Sequence, residues 1–209
     1  GYILGGIEKI TNKIIDSADV LRAIVLTGIG YKDFIPNWEY VTQKGIAIGN
    51  TPDGPTHAVA EWSLMMALDM NRGAFELGRA GTKSFLTTRG LENQKIGIIG
   101  LGRIGTEIIN LLQPFRLSSI SYYSKHPHPE VEERLKIHWA DIDNLLRESD
   151  VIFLCVSKDA GENFIDKEKL STIKDDALLV TFVSERIINE EALLEELKKS
   201  LKFSNMESC

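Results

Sequence analysis

Cysteine is scarce in this sequence, whose 209 residues contain only Cys155 and Cys209. A disulfide framework needs several cysteines at regular spacings, so a small disulfide-stapled extracellular scaffold is excluded. Cys155 lies in an apolar run, where we expect a reduced residue of the core. A reducing cytoplasm is therefore the expected location.

Long apolar runs and an excess of positive charge are also missing. No run approaches the roughly 18 apolar residues of a membrane-spanning helix, and the first residues do not resemble a signal peptide. The net charge of −6 would repel nucleic acid and anionic membranes, so neither is expected as a partner. The histidine, cysteine and acidic residues show no spacing typical of metal ligands, so we predict no metal site.

The apolar residues of the first part alternate between strand-like runs and helical segments. The predicted strands are Tyr2–Gly5, Ala23–Thr27 and Ile46–Asn50. Thr11 is the predicted cap of a helix over Asn12–Ala18, and Pro36 suits the first turn of a second helix that ends before Gly45. This order predicts a parallel sheet covered by helices. Because the chain opens directly on a strand, we expect a segment of a longer protein.

A turn-rich stretch, Thr51–Pro55, is the predicted hinge before a long helix over Ala58–Arg72 with Gly73 as its C-cap. Apolar residues lie almost all round this helix, so we expect it to be buried between two domains. Residues 74–93 are predicted to be a polar connection.

A second series of strands and helices begins near residue 94. Its predicted strands are Lys95–Ile99, Ser119–Tyr123, Val151–Val156 and Leu178–Val183, and its predicted helices are Arg103–Leu112, Asp141–Glu148, Lys167–Ile173 and Glu190–Lys199. The predicted fold class is α/β, with two doubly wound parallel-sheet domains.

The segment Gly100–Gly105 has the pattern G-x-G-x-x-G directly between a predicted strand and a predicted helix. In this context Gly100 permits a tight turn, Gly102 lets a pyrophosphate approach the backbone, and Gly105 lets helix and strand pack closely. Arg103 and Ile104 open the helix, whose N–H groups and dipole favour a phosphate. The alternative is a glycine-rich turn that binds nothing.

The second strand of this unit ends at Ser124 and Lys125, where an acidic residue would bind the ribose 2′-hydroxyl of NAD. No carboxylate occurs there, and a hydroxyl with a cation suits a 2′-phosphate. The sequence therefore favours NADP(H) over NAD(H). The alternative is that Lys125 and His126 belong to a solvated loop.

The chain resembles the D-isomer-specific 2-hydroxyacid dehydrogenases over nearly its whole length. The segments that carry the resemblance are Leu26–Tyr31, Gly45–Pro52, Ala58–Glu61, Lys95–Gly105 and Glu148–Val151. Leu112–Phe115, Tyr122 and Ser124–Lys125 look most like the NADPH-using glyoxylate/hydroxypyruvate reductases.

The resemblance implies a truncated, flavodoxin-like substrate domain over residues 1–57 and a Rossmann domain over residues 58–209, with the active site in the cleft between them. It implies that Ile29 and Gly30 hold the substrate carboxylate by their backbone N–H groups, although a plain strand-to-helix turn is the alternative. The cofactor-binding residues that it adds to the loop and to Ser124 and Lys125 are Val156, Ser157 and Val183. It also implies a homodimer with the long helix in its interface.

Three catalytic residues of the family have no clear counterpart. Alignment on Ala192–Leu193 places Ser184 where the family has its substrate-polarising arginine. Arg186 lies two residues later, on the same face if the segment is strand-like, and is our candidate substitute. The family's glutamate and histidine fall beyond the point where this chain stops, and we expect His57 to be a structural or capping residue.

Two functional hypotheses follow from this pattern. The first is an oxidoreductase that transfers a hydride between a nicotinamide cofactor and a small 2-keto acid or D-2-hydroxy acid. The second is a catalytically inactive dinucleotide-binding protein of the same fold, a sensor or corepressor. A structural subunit with an empty loop is a third possibility, which predicts no stabilisation by any dinucleotide.

Overall fold

Two parallel β-sheets organise the chain, one in each of two units, Gly1–Ala58 and Val59–Cys209. The computed structural model describes residues 1–6, 8–28, 30–80, 88–183 and 185–204. The predicted α/β class is confirmed, with parallel pairing in both sheets. That the first unit is part of a substrate domain stays a prediction.

The first unit has a three-stranded sheet in the order β1-β2-β3. The strands are β1 (Tyr2–Leu4), β2 (Ala23–Leu26) and β3 (Ala47–Asn50), and the helices are α1 (Asn12–Asp16), α2 (Tyr31–Phe34) and α3 (Trp38–Gln43). Thr11 caps α1 as predicted, because its side chain accepts the Ile14 N–H. Leu4, Ile24 and Leu26 are buried in one cluster with residues of the helices, so the period-2 pattern of the strands builds this core.

Pro36 does not lie in the first turn of a helix, and that prediction is wrong. The chain forms α2 first, leaves the helical conformation at Ile35 (φ −122°, ψ 69°), and begins α3 at Trp38. A proline disfavours the α conformation of the residue before it, and this explains the break at Ile35.

The second unit has a five-stranded sheet in the order β6-β5-β4-β7-β8. Its strands are β4 (Lys95–Ile99), β5 (Ser119–Tyr123), β6 (His138–Trp139), β7 (Val151–Leu154) and β8 (Leu178–Thr181). Its helices are α4 (Thr56–Arg72, which begins just before the unit), α5 (Ala74–Ala80), α6 (Arg103–Leu112), α7 (Pro129–Leu135), α8 (Ile142–Glu148), α9 (Lys167–Thr172) and α10 (Glu190–Ser204). Two 3₁₀ turns occupy Lys158–Ala160 and Glu185–Ile187.

The sheet of the second unit is covered on both faces. Ile98 and Phe153 belong to one buried cluster, and their neighbours Ile99 and Leu154 belong to another. A parallel sheet with two covered faces needs continuous apolar strands, and the fully buried β7 has this composition. The order of the strands reverses between β4 and β7, so the carboxyl ends of these two strands form the point where ligands of open α/β sheets bind.

The helices α5 and α7 differ from the predictions, and α4 is buried only in part. A narrow stripe of α4 is buried, at Ala60, Ser63 and Ala67, whereas Trp62 is 61% exposed. The expected burial of α4 between two domains stays a prediction. Part of the predicted connection over residues 74–93 is the helix α5. The proline-rich stretch after β5 contains α7, because Pro129 stands at its first position, where a missing N–H costs no hydrogen bond.

Within the described ranges, no helix has both the length and the apolar character that a membrane span requires. The same residues contain no group of three histidine, cysteine or acidic side chains placed to hold a metal ion.

Candidate nucleotide-binding site

The glycine loop joins the carboxyl end of β4 to the first turn of α6. The Gly100 N–H donates to the Tyr123 carbonyl at 2.9 Å, and the Cys155 N–H donates to the Ile99 carbonyl at 2.8 Å. The loop therefore lies between the ends of β5 and β7, at the point where the strand order reverses. Gly102 is the N-cap of α6, and Arg103 and Ile104 form its first turn.

The three glycines of the loop differ in their surroundings. Gly100 has a φ of 103°, and a Cβ there would lie 2.9 Å from the Cys155 carbonyl carbon. A Cβ on Gly105 would lie 2.2 Å from the Gly100 carbonyl oxygen. At Gly102, apart from the glycine itself and its two chain neighbours, no heavy atom of the described residues lies within 4 Å of the corresponding position. Gly100 and Gly105 thus permit close backbone packing, whereas Gly102 borders open space at a helix N-terminus, as a pyrophosphate requires.

The segment after β5 forms a closed loop, and we call Ser124–His128 the ribose loop. The Ser124 hydroxyl donates to the His126 carbonyl at 2.5 Å, and the Trp139 Nε1–H of β6 donates to the Ser124 carbonyl at 3.0 Å. Lys125 is exposed. The structure thus brings Ser124 and Lys125 to the carboxyl end of β5, next to the glycine loop.

Tyr122 links the end of the ribose loop to the core. Its ring is fully buried, and its hydroxyl accepts the His128 N–H at 2.6 Å and donates to Glu132 Oε1 at 2.9 Å. Burial raises the pKa of Tyr122, and Glu132 raises it further against the opposing effect of the His128 N–H. The hydroxyl therefore stays protonated and keeps its donor role. The sequence contained no periodic signal for this contact, because Tyr122 and Glu132 lie on different elements.

The remaining predicted cofactor residues follow β7 and β8. Val156 packs against the buried cluster that contains Leu154, and Ser157 precedes the turn Lys158–Ala160. The Val183 N–H donates to Thr181 Oγ1 at 3.3 Å. All three residues lie just beyond the carboxyl ends of their strands, on the same edge of the sheet as the glycine loop.

Cys155 lies beside the glycine loop, and its carbonyl group is packed against Gly100. Burial raises the pKa of the Cys155 thiol to about 12. The thiol is therefore protonated at neutral pH, and its packing against the core agrees with the prediction of a reduced core residue.

Arg186 does not have the strand-like surroundings that its candidacy assumed. It lies in the 3₁₀ turn Glu185–Ile187, is 80% exposed and pairs with Glu162 at 3.1 Å. A surface cavity of about 590 Å³ beside it is also lined by Glu190 and Glu191. This negative lining weighs against binding of a 2-keto acid anion, and a catalytic role for Arg186 stays a prediction.

The predicted substrate-binding turn is described only in part. Ile29 and Ser184 lie outside the described residues. Gly30 is the N-cap of the four-residue helix α2, and the Asp33 carboxylate lies 3.0 Å from the position that a Gly30 Cβ would take. A substrate carboxylate at this turn would have to bind close to that negative charge.

Comparison with known proteins agrees with this geometry. The family described as D-isomer specific 2-hydroxyacid dehydrogenase, NAD binding domain, matches residues 63–202. The glyoxylate reductase of Thermococcus kodakarensis is 29% identical over 92% of this chain and 61% of its own length. The glyoxylate/hydroxypyruvate reductase B of Pectobacterium atrosepticum is 30% identical over 94% of this chain and 64% of its own length.

Among solved structures, a D-lactate dehydrogenase with NAD⁺ from Lactobacillus jensenii superposes with a TM-score of 0.79 at 25% identity, over 95% of this chain and 62% of that protein. The apo D-lactate dehydrogenase of Escherichia coli has a TM-score of 0.82 at 19% identity, over 95% of this chain and 64% of that protein, which is a likeness of fold. The chain thus spans less than two thirds of the length of these relatives.

Proposed function

The chain belongs to the D-isomer-specific 2-hydroxyacid dehydrogenases, and from this premise we propose that it takes part in hydride transfer between a nicotinamide dinucleotide and a small 2-keto acid. The observation that carries the proposal is the open space at Gly102. The other two glycines of the loop, Gly100 and Gly105, are required by close contacts with the backbone. Its curated relatives are named reductases of glyoxylate and hydroxypyruvate, and these two acids are the proposed substrates.

In this proposal the chain's own residues bind and orient the cofactor. The N–H groups at Gly102, Arg103 and Ile104 hold the pyrophosphate at the positive end of α6. Val156, Ser157 and Val183 flank the dinucleotide at the ends of β7 and β8. The nicotinamide, when bound, supplies or accepts the hydride.

We further propose NADP(H) as the preferred cofactor. An acidic residue at the end of the second strand would bind the ribose 2′-hydroxyl of NAD and would repel a 2′-phosphate. Ser124 and Lys125 stand there instead, and neither carries a carboxylate. The exposed Lys125 supplies the positive charge that a 2′-phosphate needs.

The proposed substrate site has two parts. Ile29 and Gly30 would bind the substrate carboxylate, and Arg186 would polarise the keto group. Without a well-placed cation, we expect turnover to be slow, since loss of a comparable oxyanion-stabilising donor costs about 100- to 1,000-fold in rate.

A homodimer and a cytoplasmic location complete the proposal. Trp62, Met65 and Met70 are exposed on α4, and an exposed apolar surface of this kind is typical of an interface between subunits. The location rests on the scarcity of cysteine.

A titration with NADPH and NADH, followed by addition of glyoxylate or hydroxypyruvate, tests the proposal. Saturable binding with slow loss of nicotinamide absorbance is the expected result. Binding without turnover would leave both the enzyme and the inactive dinucleotide-binding alternative standing, and assay of the full-length protein would then decide between them. The names of the curated relatives favour the enzyme. If neither NADPH nor NADH binds, both the enzyme and the inactive dinucleotide-binding protein are overturned.

A further inference from the structure

We propose that Tyr122, together with Glu132 and Trp139, is a positioning device that fixes the ribose loop in the conformation that accepts a 2′-phosphate. None of the three is a predicted ligand of the cofactor. The inference rests on the proposed preference for NADP(H), and it names the residues that would make Ser124 and Lys125 effective.

The Tyr122 hydroxyl holds the end of the loop to its beginning. Tyr122 lies in β5 and is paired through its backbone opposite Ile98 of β4, so its own position is set by the sheet. From there its oxygen accepts the His128 N–H at 2.6 Å, and its proton goes to Glu132 of α7 at 2.9 Å. Both hydrogen-bonding capacities of the buried hydroxyl are therefore used to hold the ribose loop and the helix after it.

Two more hydrogen bonds hold the first half of the loop. The indole N–H of Trp139, on the edge strand β6, donates to the Ser124 carbonyl at 3.0 Å. The Ser124 hydroxyl donates to the His126 carbonyl at 2.5 Å. The contacts thus attach the loop to other elements at its first and last residues and join its first and third residues to each other, while the Lys125 side chain stays exposed.

Such attachment affects affinity, because a loop that is already ordered costs less to bind. If a loop spends one tenth of its time in the binding-competent conformation, the apparent affinity falls about tenfold. The effect concerns mainly a ligand that contacts the loop, which here is the 2′-phosphate. Removal of the Tyr122 hydroxyl is therefore expected to reduce the preference for a 2′-phosphate more than the binding of the nucleotide as a whole.

Calorimetric titration of the 209-residue chain with 2′,5′-ADP and with 5′-AMP separates the two effects. The variants are Tyr122→Phe, which removes only the hydroxyl, and Glu132→Gln, which keeps an acceptor oxygen. We expect Tyr122→Phe to weaken 2′,5′-ADP about tenfold and 5′-AMP less than twofold, by the population argument above. Glu132→Gln should retain most of the preference.

Matched controls come from the same helix and from the other unit. Glu133→Gln changes the neighbouring exposed carboxylate of α7, and Tyr40→Phe removes a hydroxyl that donates to Asp16 in the first unit. Neither should change the ratio of the two affinities. Trp139→Phe should reduce the ratio of the two affinities, as Tyr122→Phe does. It also tests the positioning role if Tyr122→Phe does not fold.

The outcomes distinguish this inference from the proposal on which it rests. If the unmodified chain does not bind 2′,5′-ADP more tightly than 5′-AMP, the NADP(H) preference and the positioning role are both overturned. If it does prefer 2′,5′-ADP and the ratio persists in Tyr122→Phe and Trp139→Phe, even with a lower melting temperature, the positioning role alone is overturned. A reduced ratio in these two variants, with unchanged controls, supports it.

Discussion

Two of the loop glycines should respond to alanine in opposite ways. At Gly102 alanine can adopt the backbone conformation (φ −88°, ψ −166°), and beyond the chain neighbours of Gly102 no described residue has a heavy atom within 4 Å of the new methyl group. Gly102→Ala should therefore leave the free energy of unfolding unchanged or raise it by about 0.4–1 kcal/mol. At Gly105 the methyl group would lie 2.2 Å from a backbone oxygen, so β4 and α6 must move apart. Overpacking of this kind costs about 1–3 kcal/mol.

Ligand binding separates the two variants further. NADPH at 100 times its dissociation constant should stabilise the unmodified chain by about 2.7 kcal/mol, which is roughly 5–10 °C in melting temperature for a unit of this size. We expect Gly102→Ala to lose this shift, because the methyl group occupies the space of the pyrophosphate. Gly105→Ala should melt at a lower temperature without ligand. Thermal melting with and without NADPH measures both effects. A normal NADPH shift in Gly102→Ala would refute the assignment of the open space to the cofactor.

Three further predictions concern other parts of the molecule. Asp150 accepts the Lys95 N–H at 2.8 Å and pairs with Lys174 at 2.7 Å; burial acts to raise its pKa, but these contacts outweigh burial and hold the pKa below its ordinary value. The stabilisation is present above the unfolded pKa of about 3.9 and is lost as the pH falls through the lower folded pKa. Asp150→Asn should therefore lower the free energy of unfolding by about 1 kcal/mol at neutral pH and by less at pH values below the folded pKa. Urea titrations at both pH values measure this difference. Equal losses at all pH values would contradict this reasoning. The raised pKa of Cys155 predicts that a Cys209→Ser variant reacts with a disulfide reagent only after denaturation, and rapid reaction of the folded chain would be inconsistent with it. Trp62→Glu on the exposed surface of α4 should yield monomers in sedimentation, whereas the exposed Glu133→Gln should not; a monomeric unmodified chain would exclude the dimer.

The elements around the glycine loop could be predicted from sequence with accurate boundaries. The structure places β4, α6 and β5 at Lys95–Ile99, Arg103–Leu112 and Ser119–Tyr123, as expected. Their signals are local, because an apolar strand, a glycine loop and a proline beyond the helix each act on neighbouring residues.

The features that were predicted wrongly or not at all depend on contacts between distant residues or on ambiguous local signals. No helix was predicted between β5 and Asp141, yet Pro129 begins α7. The face of Arg186 was inferred from a strand period that a 3₁₀ turn does not have. The contacts from Tyr122 to Glu132 and from Trp139 to Ser124 join different elements, so no spacing in the sequence indicates them. The conformation of the glycine loop was therefore predictable from sequence, whereas the hydrogen bonds that hold Ser124 and His128 were not.

We propose that this chain binds a nicotinamide dinucleotide at the Gly100–Gly105 loop and supports reduction of a 2-keto acid. The most direct test is a fluorescence titration with NADPH and NADH, with Gly102→Ala as the control, followed by addition of glyoxylate. We expect saturable binding that is tighter for NADPH, that is lost in Gly102→Ala, and that is followed by slow oxidation of the cofactor. Equal, unsaturable signals for the unmodified chain and Gly102→Ala would contradict it.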